Sequence, residues 1–184
     1  MDTTIKTVEN PIMKMPTPAP APAPTGPQFV LEQVPCLSLL VNMVWPTIKP
    51  YVQELAGESA GEFSEMDVFQ EVMYGSAFLY MGYMVKDAEA YKKGEPVEKT
   101  FVAYAIAKLN TKLYGPDTVH VWQACIVPEY RNTNVFELGW MKLREEFTKM
   151  GAKKVSLSAK RDNWIHVCQK LGLKETFAVF RGDL

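Results

Sequence analysis

The sequence predicts an α/β chain in which a meander of strands leads into a strand–helix–strand unit, and three observations carry that prediction. Thr118-Val-His-Val-Trp-Gln-Ala-Cys125 alternates β-branched and aromatic residues with polar ones, the period of a strand. Phe136, Trp140, Leu143, Phe147 and Met150 then recur at helical spacing and lay one apolar stripe along a helix. Gly151 follows where a left-handed residue commonly closes a helix, before a short strand over 154–159, a second helix over 163–171, Gly172 and a last strand over 174–180. A strand, a helix and a strand in succession are most naturally joined as a parallel pair.

The earlier elements follow in order. Residues 1–27 differ in composition from the rest: seven of the thirteen prolines lie there, five of them in Pro16-Thr-Pro-Ala-Pro-Ala-Pro-Ala-Pro24. Alternating Pro and Ala favours a stiff polyproline II rod, which serves either as a tether or as an arm that docks on a protein partner. Residues 28–184 form the expected folded domain. Phe29–Val34 reads as the first strand and Asn42–Gly57 as a helix, with Pro50 expected to kink or restart it. Ser64-Glu-Met-Asp67 has the character of a capping box, so a second helix runs to about Tyr74 and ends at Gly75. Residues 77–86 and 100–109 are strands joined by a charged loop over 87–99, and 110–117 is a turn region. Met81, Met84, Met141 and Met150 fall on predicted buried faces, and Trp122 and Trp140 are expected in the core.

Composition narrows the function. With 47% hydrophobic and 11% aromatic residues the chain can build a sizeable core. A net charge of −1 supplies no basic field, so nucleic acid is not an expected partner. No apolar run approaches the roughly 18 residues of a membrane span, and no signal-peptide core is evident. Three widely spaced cysteines, Cys36, Cys125 and Cys168, suit reduced thiols in a cytoplasmic or virion-associated protein.

Val127-Pro-Glu-Tyr-Arg131 at the end of the 118–125 strand, and Lys170-Leu-Gly-Leu173 after the second helix, fall in an order that resembles the GNAT superfamily, whose members are N-acyltransferases that use acetyl-CoA. The resemblance covers about 28–184. It implies a three-layer fold: a mixed, mostly antiparallel sheet with a parallel pair in its C-terminal half and helices on both faces. It also implies that the cofactor's pyrophosphate rests on the turn after the fourth strand, where helix N–H groups and the helix dipole favour an anion. The residues in that place are Ile126, Val127, Arg131, Asn132, Thr133, Asn134, Val135 and Phe136. The superfamily's two glycine positions hold Asn134, which tolerates left-handed dihedrals, and Phe136, whose ring is expected to turn into the core. Splayed strands would leave a sheet edge open to pantetheine or to a partner's backbone.

The same comparison puts Cys168 where members often carry a tyrosine that protonates the departing thiolate, and Arg161 where an asparagine is usual. Among the bases, His120 has suitable chemistry, Gln123 cannot titrate, Glu129 sits in a turn, and His166 points away from Cys168 on a helix. No full acid/base set emerges. Trp45-Pro46, the glycine-poor turn and Arg161-Asp-Asn-Trp164 are similar to GNAT-like proteins encoded by tailed phages, some of which are virion components. The expectation is therefore a non-catalytic structural or docking component, with an acetyl-CoA-dependent N-acetyltransferase of atypical loop as the alternative. If the chain is active, Cys168 and His120 are the candidate catalytic residues. A binder of another acyl-CoA or nucleotide is the remaining option.

Overall fold

The computed structural model describes residues 26–59, 61–109, 117–157 and 167–174. Five strands form one sheet in sequence order: β1 (Gln28–Val34), β2 (Phe78–Val85), β3 (Lys99–Leu109), β4 (Thr118–Ile126) and β5 (Lys154–Leu157). The first three pairings are antiparallel and β4–β5 is parallel. The mixed sheet and the parallel pair stand as expected. The helix over 163–171 is described only at 167–170, and the final strand only at Lys174. Of the arm over 1–27, residues 1–25 lie outside the described residues, as do Arg161 and His166.

α1 (Ser38–Glu58) and α2 (Glu65–Met73) cover one face of the sheet. Val41, Trp45, Ile48 and Val52 recur every three or four residues and are buried against Leu79, Met81, Tyr104 and Ile106. α2 lies against α1, with Trp45 and Phe69 ring centroids 4.9 Å apart and Trp45 Nε1 donating to Glu65 at 3.1 Å. The capping box is present: Ser64 Oγ accepts from Asp67 N–H, and Asp67 accepts from Ser64 N–H at 2.7 Å.

α1 corrects two expectations. It begins four residues earlier than the sequence suggested, and it neither breaks nor restarts at Pro50. Pro46 and Pro50 are one turn apart on the exposed face, so the hydrogen bonds they remove are on the solvent side and the buried stripe is untouched. The expected loop over 87–99 also contains a helix, α3 (Ala88–Lys92). Asp87 caps it by accepting from the N–H groups of Glu89 and Ala90, a signal hidden by the charged composition of the segment.

The other face is covered by α4 (Val135–Lys149), which buries Trp140, Leu143 and Phe147 on Tyr80, Ala105, Ala107, Val119 and Val121. Tyr80 meets Phe147 edge-on at 5.9 Å and donates to Met150 Sδ at 3.3 Å. Near β1 the sheet and helix come close over glycines. A Cβ on Gly82 would lie 2.9 Å from the Phe29 ring, and one on Gly139 3.6 Å from it. Met81 is buried and Met84 and Met150 are half-buried, whereas Met141 is 59% exposed, on the solvent side of α4.

Candidate functional site

The site is built where β4 ends. Between Tyr83 and Gly82 of β2 the register on β3 steps from Phe101 to Ala103 and leaves Val102 as an extra residue. Val102 offers its carbonyl to Val127 N–H at 2.9 Å, which anchors the chain as it leaves β4. Pro128–Tyr130 then form a single 3-10 turn. Arg131 closes it, its Nε donating back to the Ile126 carbonyl at 3.1 Å, and the rest of the guanidinium faces solvent.

Thr133 shapes the entry to α4. Its hydroxyl donates to the Tyr130 carbonyl at 2.7 Å and accepts from Val135 N–H at 3.3 Å. Asn134, the residue before the helix, sits at φ −79, ψ 10 and needs no left-handed backbone. The turn therefore forms without the glycines that the GNAT comparison called for. Arg131, Asn132 and Asn134 are exposed beside a helix N-terminus, a setting that suits an anion. Glu129 and Glu137 are exposed nearby and oppose it.

The expected burial of Phe136 is corrected. Val135 takes the core position, with Phe29, Val102 and Val127, while Phe136 is half-buried. The inward stripe of α4 is Val135, Trp140, Leu143 and Phe147, one residue out of phase at its start.

β4 carries a second irregularity. Ile106 faces Gln123 but Ala107 faces Val121, so Trp122 is the extra residue. Trp122 packs on the α1–α2 side, edge-on to Phe63 at 5.4 Å, with Lys108 Nζ 3.7 Å from its ring centroid. Gln123 is opposite Ile106, a residue of that same core, and is 4% exposed. Its Oε1 accepts from the Tyr104 hydroxyl at 3.5 Å, and its Nε2 has no protein acceptor. Burial pushes the Tyr104 hydroxyl well above its usual range, with Cys125 and Glu54 adding to the effect. Tyr51 of α1 is raised by burial first and then by Cys125 and Glu129, while Arg131 opposes them, which places α1 in electrostatic reach of the turn.

The two expected catalytic residues are not brought together by any described contact. His120 is buried on β4, with Nδ1 3.0 Å from Ser156 Oγ on β5. Burial and the nearby Lys108 pull it down to about 4, so it is neutral but a weak base near pH 7. Cys168 is half-buried, and burial raises its thiol above the usual value, keeping it protonated. Its carbonyl accepts from Leu173 N–H while Gln169 accepts from Gly172 N–H, the paired bonds of a Schellman helix end around a left-handed Gly172. Among the described residues no group of three His, Cys, Asp or Glu could hold a metal, and no helix is long and apolar enough to cross a membrane.

Sequence reasoning named Gln123 only to dismiss it as a base. Its buried amide and its pairing with Tyr104 depend on the extra residue at Trp122, which no alternation pattern announces.

No protein-family model matches this chain. No curated protein matches it by sequence. Its fold does match solved structures. The aminoglycoside N-acetyltransferase AAC(6')-Iy in complex with CoA superposes with a TM-score of 0.58 at 15% identity, over 88% of this chain and 98% of that one. An aminoglycoside acetyltransferase from an uncultured soil metagenomic sample gives 0.55 at 12% identity, over 85% and 96%. A possible acetyltransferase from Clostridium difficile 630 gives 0.54 at 12%, over 85% and 97%. The fold is that of the GNAT acetyltransferases. Nothing in these matches bears on the tailed-phage likeness.

Proposed function

We propose that the chain binds an acyl-coenzyme A at the β4–α4 turn and acts as an N-acyltransferase with an atypical loop. The observation that carries this reading is the turn itself, which presents Arg131, Asn132 and Asn134 at the start of α4 without strain, next to a parallel β4–β5 pair. Ile126 and Val127 would line the approach along β4; Arg131, Asn132, Thr133 and Asn134 would hold the phosphates, with Val135 packed in the core and Phe136 at the rim. When bound, the cofactor supplies an activated acyl thioester. In this chain Arg131 contributes positive charge and the α4 dipole favours the anion. Cys168, kept protonated by burial, is a proton source for a departing thiolate. His120 is poorly matched to take a proton near neutral pH, so an acceptor amine would enter uncharged.

Calorimetry with acetyl-CoA tests the proposal, with Phe136→Gly beside the unmodified chain. Micromolar binding by the unmodified chain, equal or tighter in the variant, is the expected result. Silence from both proteins overturns it.

A second reading, a docking component without chemistry, is favoured by one surface. Leu39 and Met43 on the outer face of α1 are 70% and 68% exposed, next to Pro46 and Pro50 on the same side. The arm over 1–27 would add reach to such a component.

A further inference from the structure

An open cleft lies where the described chain begins. Pro27, Met84, Lys86, Glu98, Thr100 and Tyr130 enclose about 170 Å3 at the start of β1, the end of β2 and the turn after β4. Half-buried Met84 and Tyr130 give it apolar and aromatic walls, and both belong to the cluster around Phe29, Val102 and Val127. Its two charges answer each other: Lys86 Nζ donates to Glu98 at 2.6 Å, and both side chains are well exposed. Small-molecule pockets usually hold roughly 300–1,000 Å3, so this hollow suits one or two compact, uncharged side chains rather than a cofactor.

The chain carries such side chains next to it. Pro16-Thr-Pro-Ala-Pro-Ala-Pro-Ala-Pro24 has no charged residue and ends three residues before Pro27, which itself lines the cleft. Three residues span at most about 10 Å, so Pro24 cannot be far from it. Gly26 stands between them at φ +146, a conformation that residues with a side chain rarely adopt, and the chain bends there. A straight exit would carry the arm onward along the axis of β1, whereas a glycine bend at the joint lets it return over the end of the sheet. Proline-rich segments dock on aromatic-lined surfaces, and a stiff polyproline II rod loses little entropy in doing so.

We propose that the arm docks on its own domain: Pro20–Pro24 folds back at Gly26 and lays proline rings in the cleft against Tyr130 and Met84. Tyr130 ends the 3-10 turn after β4, and its carbonyl accepts from the Thr133 hydroxyl. The docked arm therefore braces the entry to α4 from outside. This docking needs no cofactor and is independent of the acyl-coenzyme A reading.

NMR on the full chain, with labelled methionine methyls and labelled proline, tests it. The unmodified chain is expected to show through-space contacts from the Met84 methyl to at least one of Pro20, Pro22 and Pro24. Those contacts are lost when Pro20→Ser, Pro22→Ser and Pro24→Ser are combined. They are lost equally in Thr100→Arg, where a larger side chain at an exposed position fills the hollow. Both variants keep the amide spectrum of the folded sheet. No contact from Met84 to these prolines in the unmodified chain overturns the proposal, whatever the variants do. Contacts that survive Thr100→Arg overturn it as well, because the arm then lies outside the cleft. Contacts between one copy labelled on methionine and another labelled on proline overturn docking within one chain and assign the cleft to a second copy's arm.

Discussion

The two faces of the sheet are built from different chemistry. Under α4 the buried residues are apolar almost without exception: Ala105, Ala107, Val119, Val121, Trp140, Leu143 and Phe147, with the Tyr80 hydroxyl given to a methionine sulfur. On the side of α1 and α2 the same strands carry Tyr104, Lys108, Trp122, Gln123 and Cys125. Lys108 is 3.3 Å from Glu71 as well as stacked on Trp122, and the amide nitrogen of Gln123 has no protein acceptor among the described residues. One face is a scaffold that tolerates few polar atoms. The other accepts the cost of buried polar groups, which is how binding faces are usually recognised.

Three experiments would break or sharpen that contrast. The largest effect belongs to the scaffold face. Phe147→Ala removes a ring buried to 3% exposure and is expected to cost about 3–5 kcal/mol in chemical denaturation. A loss under about 1 kcal/mol would mean that α4 is not the main cover of that face.

The next belongs to His120, on β4 opposite Lys108 of β3. Its folded value of about 4 lies below the ordinary 6.5. Its unfolded form therefore gains a proton first as the pH falls. The stability due to neutral burial is full above pH 6.5, declines between 6.5 and 4, and levels off below, a change of roughly 3 kcal/mol. Urea midpoints taken across that window should slope for the unmodified chain and flatten for His120→Gln. Equal slopes would show that His120 does not carry the decline; Glu65 and Asp67, whose folded values are lowered, lose their contribution only at the acid end of the window and below it.

The smallest concerns Trp140, whose Nε1 is an unmatched buried donor under α4 among the described residues. Trp140→Phe loses ring area and also discards the orphan N–H, so the two effects offset to within about 1 kcal/mol. A larger loss in thermal melting would show that the indole N–H has a partner on the scaffold face.

Much of this arrangement is legible in the sequence. The strands were visible because alternation and apolar runs do not depend on tertiary context, and Ser64-Glu-Met-Asp67 and Gly151 marked helix ends by local chemistry alone. The phase of α4 was not readable at its start. Val135 and Phe136 are both apolar, and only the Phe29–Val102–Val127 cluster decides which of them turns inward. Phe136 in a glycine position was expected to turn into the core; it is half-buried instead, and Thr133 and Val127 close the turn with their own hydrogen bonds. The extra residues at Val102 and Trp122 were illegible for the same reason: a bulge is a property of two strands, and each strand alone reads as regular.

The two prolines of α1 bear on the order in which the molecule assembles. A helix must nucleate before it grows, and each proline withdraws a donor from the ladder that rewards growth. Pro46 and Pro50 withdraw two in the middle of a 21-residue helix that also has no side-chain cap at its start. Such a segment is a poor seed. It becomes helical when a formed sheet face receives Val41, Trp45, Ile48 and Val52, so the sheet precedes the helix and α1 is a latecomer. Folding kinetics should therefore report φ-values near zero for truncations on α1 and higher ones on β2 and β3.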